Sequence, residues 1–163
     1  MSPATKESAN KATVTISGER SVHVERVFNA SRERVWDAMT KPALVAQWWG
    51  RGNKLVIECL ELKRGGHWRF VEHSDHGIHG FEGRFAEIEP PSKLVYSFEW
   101  DGMPAHAILE TITLDDLGDG RTRMNTDSLF LLADDLKDYT SSGAEAGMTL
   151  SYGALDRLLE KGW

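Results

Sequence analysis

One cysteine, Cys59, is all the thiol in this 163-residue chain, which excludes an internal disulfide and suits a cytoplasmic protein. Residues 1–11 are polar and lack the apolar core of a secretory signal, and nothing in the composition suggests a membrane protein, so no membrane insertion is expected. Basic residues are scattered. With 19 of them against 25 acidic ones the net charge is −6, and no Lys/Arg cluster offers a face for phosphates, so nucleic acid is not an expected partner. Gly-rich phosphate loops, nucleophile elbows and internal repeats are also missing, and no cofactor is expected. What remains is an ordinary globular composition, 40% hydrophobic and 27% charged, at a length that suits one domain. Six tryptophans stand out, and such side chains suit a core or a pocket wall.

Residues 1–11 show no periodicity and read as a disordered leader, leaving residues 12–163 as a single domain. From Thr13 to Phe28 apolar residues alternate, with Val14, Ile16, Val22, Val24 and Phe28 on one face, around a Ser17-Gly18 interruption. That pattern predicts one strand with a break or bulge. Ser31 is placed to cap a helix carrying Val35, Trp36 and Met39. Thr40 is placed to cap a second helix, with Pro42 in its first turn and Gly50 ending it after Trp48 and Trp49. Between Lys54 and Phe130, turn residues at Gly65-Gly66, 74–77, Pro90-Pro91, Asp101-Gly102 and 118–120 separate successive strands, and turns this short make neighbours antiparallel. Met148, Tyr152, Leu155 and Leu159 then recur on one face of a long C-terminal helix. The predicted class is α+β: a curved antiparallel sheet of about six or seven strands wrapped around that helix, with two short helices after the first strand.

Turn geometry also assigns faces. A four-residue turn at 74–77 sets Phe70 opposite Phe81, Trp68 opposite Gly83, Arg69 opposite Glu82 and Glu72 opposite His79. Aromatics then share one face and charges the other, so Trp68, Phe70, Phe81 and Phe85 point inward. Carried through Pro90-Pro91, the same parity brings Tyr96, Phe98 and Trp100 inward and leaves Gly83 between large rings, where a bend is needed. In the next strand Ile108, Ile112 and Leu114 face inward together with His106 and Glu110, and across the following hairpin so do Met124, Thr126 and Ser128.

Several short motifs occur in a characteristic order: Ala30-Ser31 through Trp36, Gln47-Trp48-Trp49-Gly50, Gly65-Gly66-His67-Trp68, Gly83 through Ile88 before Pro90-Pro91, Gly120-Arg121-Thr122-Arg123, and Gly147-Met148. Through them the chain, from about Val22 to Lys161, resembles the SRPBCC or START-like superfamily. Within it, the chain is similar to the AHSA1-like group, named for the homologous domain of the heat-shock-protein ATPase activator. The group usually carries Gly-Trp where this chain has Gly147-Met148, which changes the shape of any pocket there. The resemblance implies a helix-grip fold with a cavity between sheet and last helix. It implies no single activity, since relatives include polyketide cyclases, lipid carriers, antibiotic-sequestering proteins and co-chaperone-like domains.

Three functional classes follow. A binder would hold a hydrophobic or aromatic small molecule among Trp49, Trp68, Phe70, Phe81, Phe98, Trp100, Thr126, Ser128, Met148 and Tyr152. A polyketide cyclase-like enzyme would use Glu110, its pKa raised by burial, to move a proton while Tyr96 or His106 polarises a carbonyl. A co-chaperone-like module would instead present surface residues around Trp49 to a protein partner, and a homodimer also stays open. His73, His76 and His79 have a spacing that suggests a metal site, but the register turns His73 outward and His79 inward, so no metal is expected and Glu72 and His79 read as a rim pair. Adjacent residues on a helix point about 100° apart, so one ring of Trp48 and Trp49 is expected to leave the core. Gly143, Gly147 and Gly153 in the last helix call for close packing or room for a ligand. Cys59, in a strand, reads as a buried and inert thiol.

Overall fold

The computed structural model describes residues 12–141 and 144–163, without the side chains of residues 144–147. The leader, Gly143 and the surroundings of Gly147 therefore lie outside the described residues. The elements run β1 (Thr13–Ser17), β2 (Ser21–Phe28), α1 (Arg32–Thr40), α2 (Pro42–Trp48), β3 (Lys54–Leu60), β4 (His67–Ser74), β5 (Gly77–Glu89), β6 (Lys93–Trp100), β7 (Ile108–Gly118), β8 (Arg121–Phe130), α3 (Ala133–Ser141) and α4 (Ala144–Lys161). The strands make one open antiparallel sheet in the order β1-β2-β8-β7-β6-β5-β4-β3. It has eight strands, not six or seven. The Ser17-Gly18 interruption is a turn, with Gly18 at φ 71°, so the expected single strand is a hairpin in which Ile16 pairs with Val22.

Local chemistry explains the helix ends. Ser31 accepts from the Arg34 amide at 3.3 Å and starts α1. Thr40, expected to cap α2, is instead the last residue of α1, where its hydroxyl donates back to the Trp36 carbonyl at 2.8 Å. Lys41 takes the cap position of α2 without a side-chain bond. The C-terminal region holds two helices, because α3 intervenes between β8 and α4.

The core lies between the concave face of the sheet and α1, α2 and α4. Phe28 and Leu155 are fully buried in it, and Phe28 meets the edge of Tyr152 at 5.7 Å. Arg26 clamps α4 to the sheet: its guanidinium donates to the Tyr152 carbonyl at 3.2 Å and to Asp156 at 2.6 Å while covering the Phe28 ring. On the convex face Arg69 bonds Glu58, Glu82 and Asp101, a network that crosses the sheet where Gly80 leaves room for it.

Candidate functional site

The hairpin registers place the inner-face residues. Phe70 pairs with Phe81, Trp68 with Gly83, Phe85 with Tyr96, and Phe81 with Trp100. Gly83 is required by close approach. A Cβ there would lie 1.8 Å from the Ser97 carbonyl oxygen and 2.8 Å from Trp68 Nε1, because the Trp68 indole crosses the glycine to donate to that same carbonyl at 3.1 Å. Farther along the sheet Glu110 pairs with Tyr96 on one side and Ser128 on the other, and Ile112 pairs with Thr126.

An aromatic chamber results. Trp49 projects into it, with ring centroids 5.3 Å from Phe70, 5.1 Å from Phe81 and 6.4 Å from both Trp68 and Phe98. Beneath Trp49 is a cavity of about 50 Å³ whose walls include Met39, Trp68, Phe85, Tyr96 and Ile112. Both tryptophans of the pair are inside, contrary to the expectation that one must leave. Trp48 turns toward α1, where its indole donates to the Ala38 carbonyl at 2.8 Å, and Trp49, just past the end of α2, turns toward the sheet, while Pro42, Ala43 and Gln47 carry the exposed side of the helix.

The polar end of the chamber is unusual for its surplus hydrogen-bonding capacity. Ser128 Oγ donates to Glu110 Oε2 at 2.8 Å, the one hydrogen bond to this carboxyl among the described residues. Burial pushes the Glu110 pKa up to about 7; the Ser128 bond opposes that rise and the charge of Asp127 adds to it. Burial, followed by the Glu110 charge, also raises the Tyr96 phenol well above its usual value, and the Tyr152 phenol is pushed up to about 12. Glu110 and Tyr96 are both half-buried, and Tyr96 lines the cavity. Thr126 Oγ1 is shut off from solvent without a hydrogen-bond partner. Its closeness to Tyr152 draws that phenol down, against the larger rise that burial causes.

Other expected site residues fall elsewhere. His106 belongs to the loop before β7 rather than to the strand, so the alternation does not govern it, and its Nδ1 pairs with Asp135 of α3 at 2.8 Å. Trp100 folds its ring over Gly102 and against His79, at the rim of the sheet and away from the cavity walls. Glu72 is no rim residue: it is 1% exposed and receives Arg51 Nη2 at 2.7 Å, Arg51 Nε at 3.2 Å and Asn53 Nδ2 at 3.3 Å. The parity that turned Phe70 inward also turned Glu72 inward, and a buried carboxylate demands donors; Arg51 was the signal to follow. Met148 is half-buried against the core, and Tyr152 is buried. Cys59 is half-buried on β3 with its sulfur 3.4 Å from His67 Nδ1, and burial and neighbouring carboxylates hold the thiol in its neutral form. Among the described residues no helix is long and apolar enough to cross a membrane.

Residues 29–160 match the family described as Activator of Hsp90 ATPase homolog 1-like protein. The chain belongs to that family. Solved structures agree with this placement. A Rhodobacter sphaeroides protein with 25% identity superposes with a TM-score of 0.85, covering 93% of this chain and 100% of its own. An Arthrobacter aurescens protein with 23% identity gives 0.83 over 92% of each chain. DynU16, from the dynemicin biosynthetic locus, shares the fold at 24% identity and a TM-score of 0.65, over 86% of this chain and 47% of its own. No curated protein matches the sequence. These structures share the sheet-and-helix frame, and the residues inside it must supply the function.

Proposed function

We propose that this protein binds an apolar, ring-containing small molecule bearing a carbonyl or hydroxyl group, in the chamber between the sheet and the helices, where the described cavity walls come from the sheet, α1, α2 and Trp49. The observation that carries the reading is the meeting of Glu110, held by a single hydrogen bond among the described residues, and Thr126 Oγ1, buried without a partner among them, beside the Tyr96 ring at one end of an otherwise aromatic space. Buried polar groups are ordinarily paired, and a few convergent ones in an apolar pocket fix a ligand's orientation. A neutral Glu110 can donate to a carbonyl, and an ionised one can accept from a hydroxyl. The occurrence of the same fold in a protein of a biosynthetic locus accords with small-molecule work.

A second reading rests on Glu110 alone. A carboxyl with its pKa near 7 is poised to give or take a proton at neutral pH, and Tyr96, its cross-strand neighbour, could polarise a carbonyl during enolisation or aldol ring closure. Titration with environment-sensitive aromatic probes, followed by tryptophan quenching, tests the first reading: saturable one-to-one binding, weakened by Tyr152→Trp, supports it, and no uptake of any probe refutes it. Glu110→Gln and Tyr96→Phe separate the two. A binder that uses these groups turns nothing over and loses about tenfold in affinity for a carbonyl- or hydroxyl-bearing probe, whereas an enzyme loses turnover far more than it loses affinity.

A further inference from the structure

Trp49 fills the chamber in an unusual manner. The indole N–H groups of Trp48 and Trp68 each donate to a backbone carbonyl, but that of Trp49 makes no hydrogen bond among the described residues. Four aromatic rings hold the Trp49 side chain, and it lies one residue beyond the end of α2. The backbone that follows is not helical: Arg51 and Gly52 have φ of 58° and 89°. This short segment is pinned from outside by Arg51 and Asn53 on the buried Glu72 carboxylate, with the Arg51 side chain 43% exposed and Glu72 1% exposed. The ring contacts of Trp49 are therefore ones that a flat aromatic guest replaces; its backbone is held by the Val45 carbonyl at 3.0 Å and by the Ser151 hydroxyl at 3.2 Å, and the Arg51–Glu72 ion pair fixes the segment that follows.

We infer that the Trp49 indole stands in the ligand's place, and that the ligand is a planar aromatic of about two fused rings admitted when the Arg51–Glu72 latch opens. The inference rests on the binding reading above and narrows it to a ligand class. Size supports it. The cavity beside Trp49 is about 50 Å³, far below the roughly 300–1,000 Å³ of sites that enclose a small molecule. With the indole out, the vacated space joins that cavity and is bounded by Trp68, Phe70, Phe81 and Phe98, whose spacing already accommodates a flat ring. Tyr96 lines the same cavity, so a hydroxyl or carbonyl on the guest would point toward the unsatisfied polar end.

The test uses 2-naphthol, with n-octanol as the flexible aliphatic comparator, on the full chain labelled with 5-fluorotryptophan. The Trp49 resonance is assigned by its loss in Trp49→Ala. The double variant Arg51→Ala/Glu72→Gln removes the latch without stranding a buried charge, and thermal melts establish that both variants fold. Saturating 2-naphthol should move the Trp49 fluorine signal toward its solvent-exposed position. Calorimetry should show about tenfold tighter 2-naphthol binding by the double variant than by the parent, since a larger fraction of molecules is then open. Trp49→Ala should favour 2-naphthol over octanol. If 2-naphthol binds the parent without shifting Trp49, or the double variant gains no affinity, the displacement mechanism is wrong while the binding reading stands. Equal uptake of octanol by the opened variants overturns the ligand class. If even Trp49→Ala takes up neither compound, the binding reading fails together with this inference.

Discussion

Replacing Glu110 by Gln removes an ionisable group but keeps an oxygen to accept the Ser128 hydroxyl, which now donates to Glu110 Oε2 at 2.8 Å. In the folded protein the Glu110 pKa is about 7, against 4.5 for a free glutamate, chiefly because burial disfavours the charge. The folded pKa is raised, so the folded state holds its proton between pH 4.5 and 7 while the unfolded state has released it, and stability falls as pH climbs through that window. A gap of about 2.5 pH units at 1.36 kcal/mol each amounts to about 3 kcal/mol, absent below pH 4.5 and fully developed above pH 7. Urea denaturation of parent and Glu110→Gln, followed by tryptophan fluorescence from pH 4 to 8.5, isolates this group because every other titration is common to both proteins. The curves should nearly coincide in acid and separate with rising pH, until the variant is the more stable by about 3 kcal/mol, or roughly 6–12 °C in Tm. A difference that does not change with pH would refute the assignment of a desolvated carboxyl to Glu110.

Gly83→Ala should cost roughly 3 kcal/mol or more in chemical denaturation, because the new methyl meets the Ser97 backbone oxygen, which cannot step aside without breaking the strand. Gly153→Ala should do the opposite: its Cβ would meet only Arg157 Nη1, at 3.6 Å, so removing a glycine from the interior of α4 should add about 0.5–1 kcal/mol and raise Tm by a few degrees. His23 lies 2.6 Å from Asp127 and 3.0 Å from Glu25, which raise its pKa above 6.5. Its stabilising contribution is complete below 6.5 and fades as pH rises through the folded value, and Asp127→Asn should move the imidazole titration seen by NMR downward.

The sheet could be read closely from the chain because turn lengths fix register and register fixes faces. Ser74 to Gly77 alone locates Phe70, Trp68 and Arg69 correctly against their partners, and the Gly118–Gly120 turn puts Ser128 on the same side as Glu110, which it pairs with. Errors arose where alternation stops being a guide. Alternation extends to His106, but β7 begins at Ile108 and leaves His106 in a loop; alternation also runs through Gly18, whose positive φ makes a turn. Thr40 has the chemistry of a cap for the next helix, but its hydroxyl bonds back within its own. Long-range partners were harder still. Nothing local joins Arg51 to Glu72, 21 residues apart, although a charged residue at an inward strand position should have prompted the search. The filling of the chamber by Trp49 depends on where α2 docks on the sheet, and helical periodicity does not determine that.

The central claim, that the chamber between sheet and helix receives a small apolar molecule, is tested most directly by methyl NMR on Ile- and Leu-labelled protein titrated with an aromatic ketone such as 1-tetralone. Ile112 and Leu94 line the inner cavity, whereas Leu109 and Leu129 are exposed on the opposite face of the sheet. Saturable shifts confined to Ile112, Leu94 and their inner neighbours are the expected result. Shifts concentrated at Leu109 and Leu129, or none at any concentration reached, would contradict it.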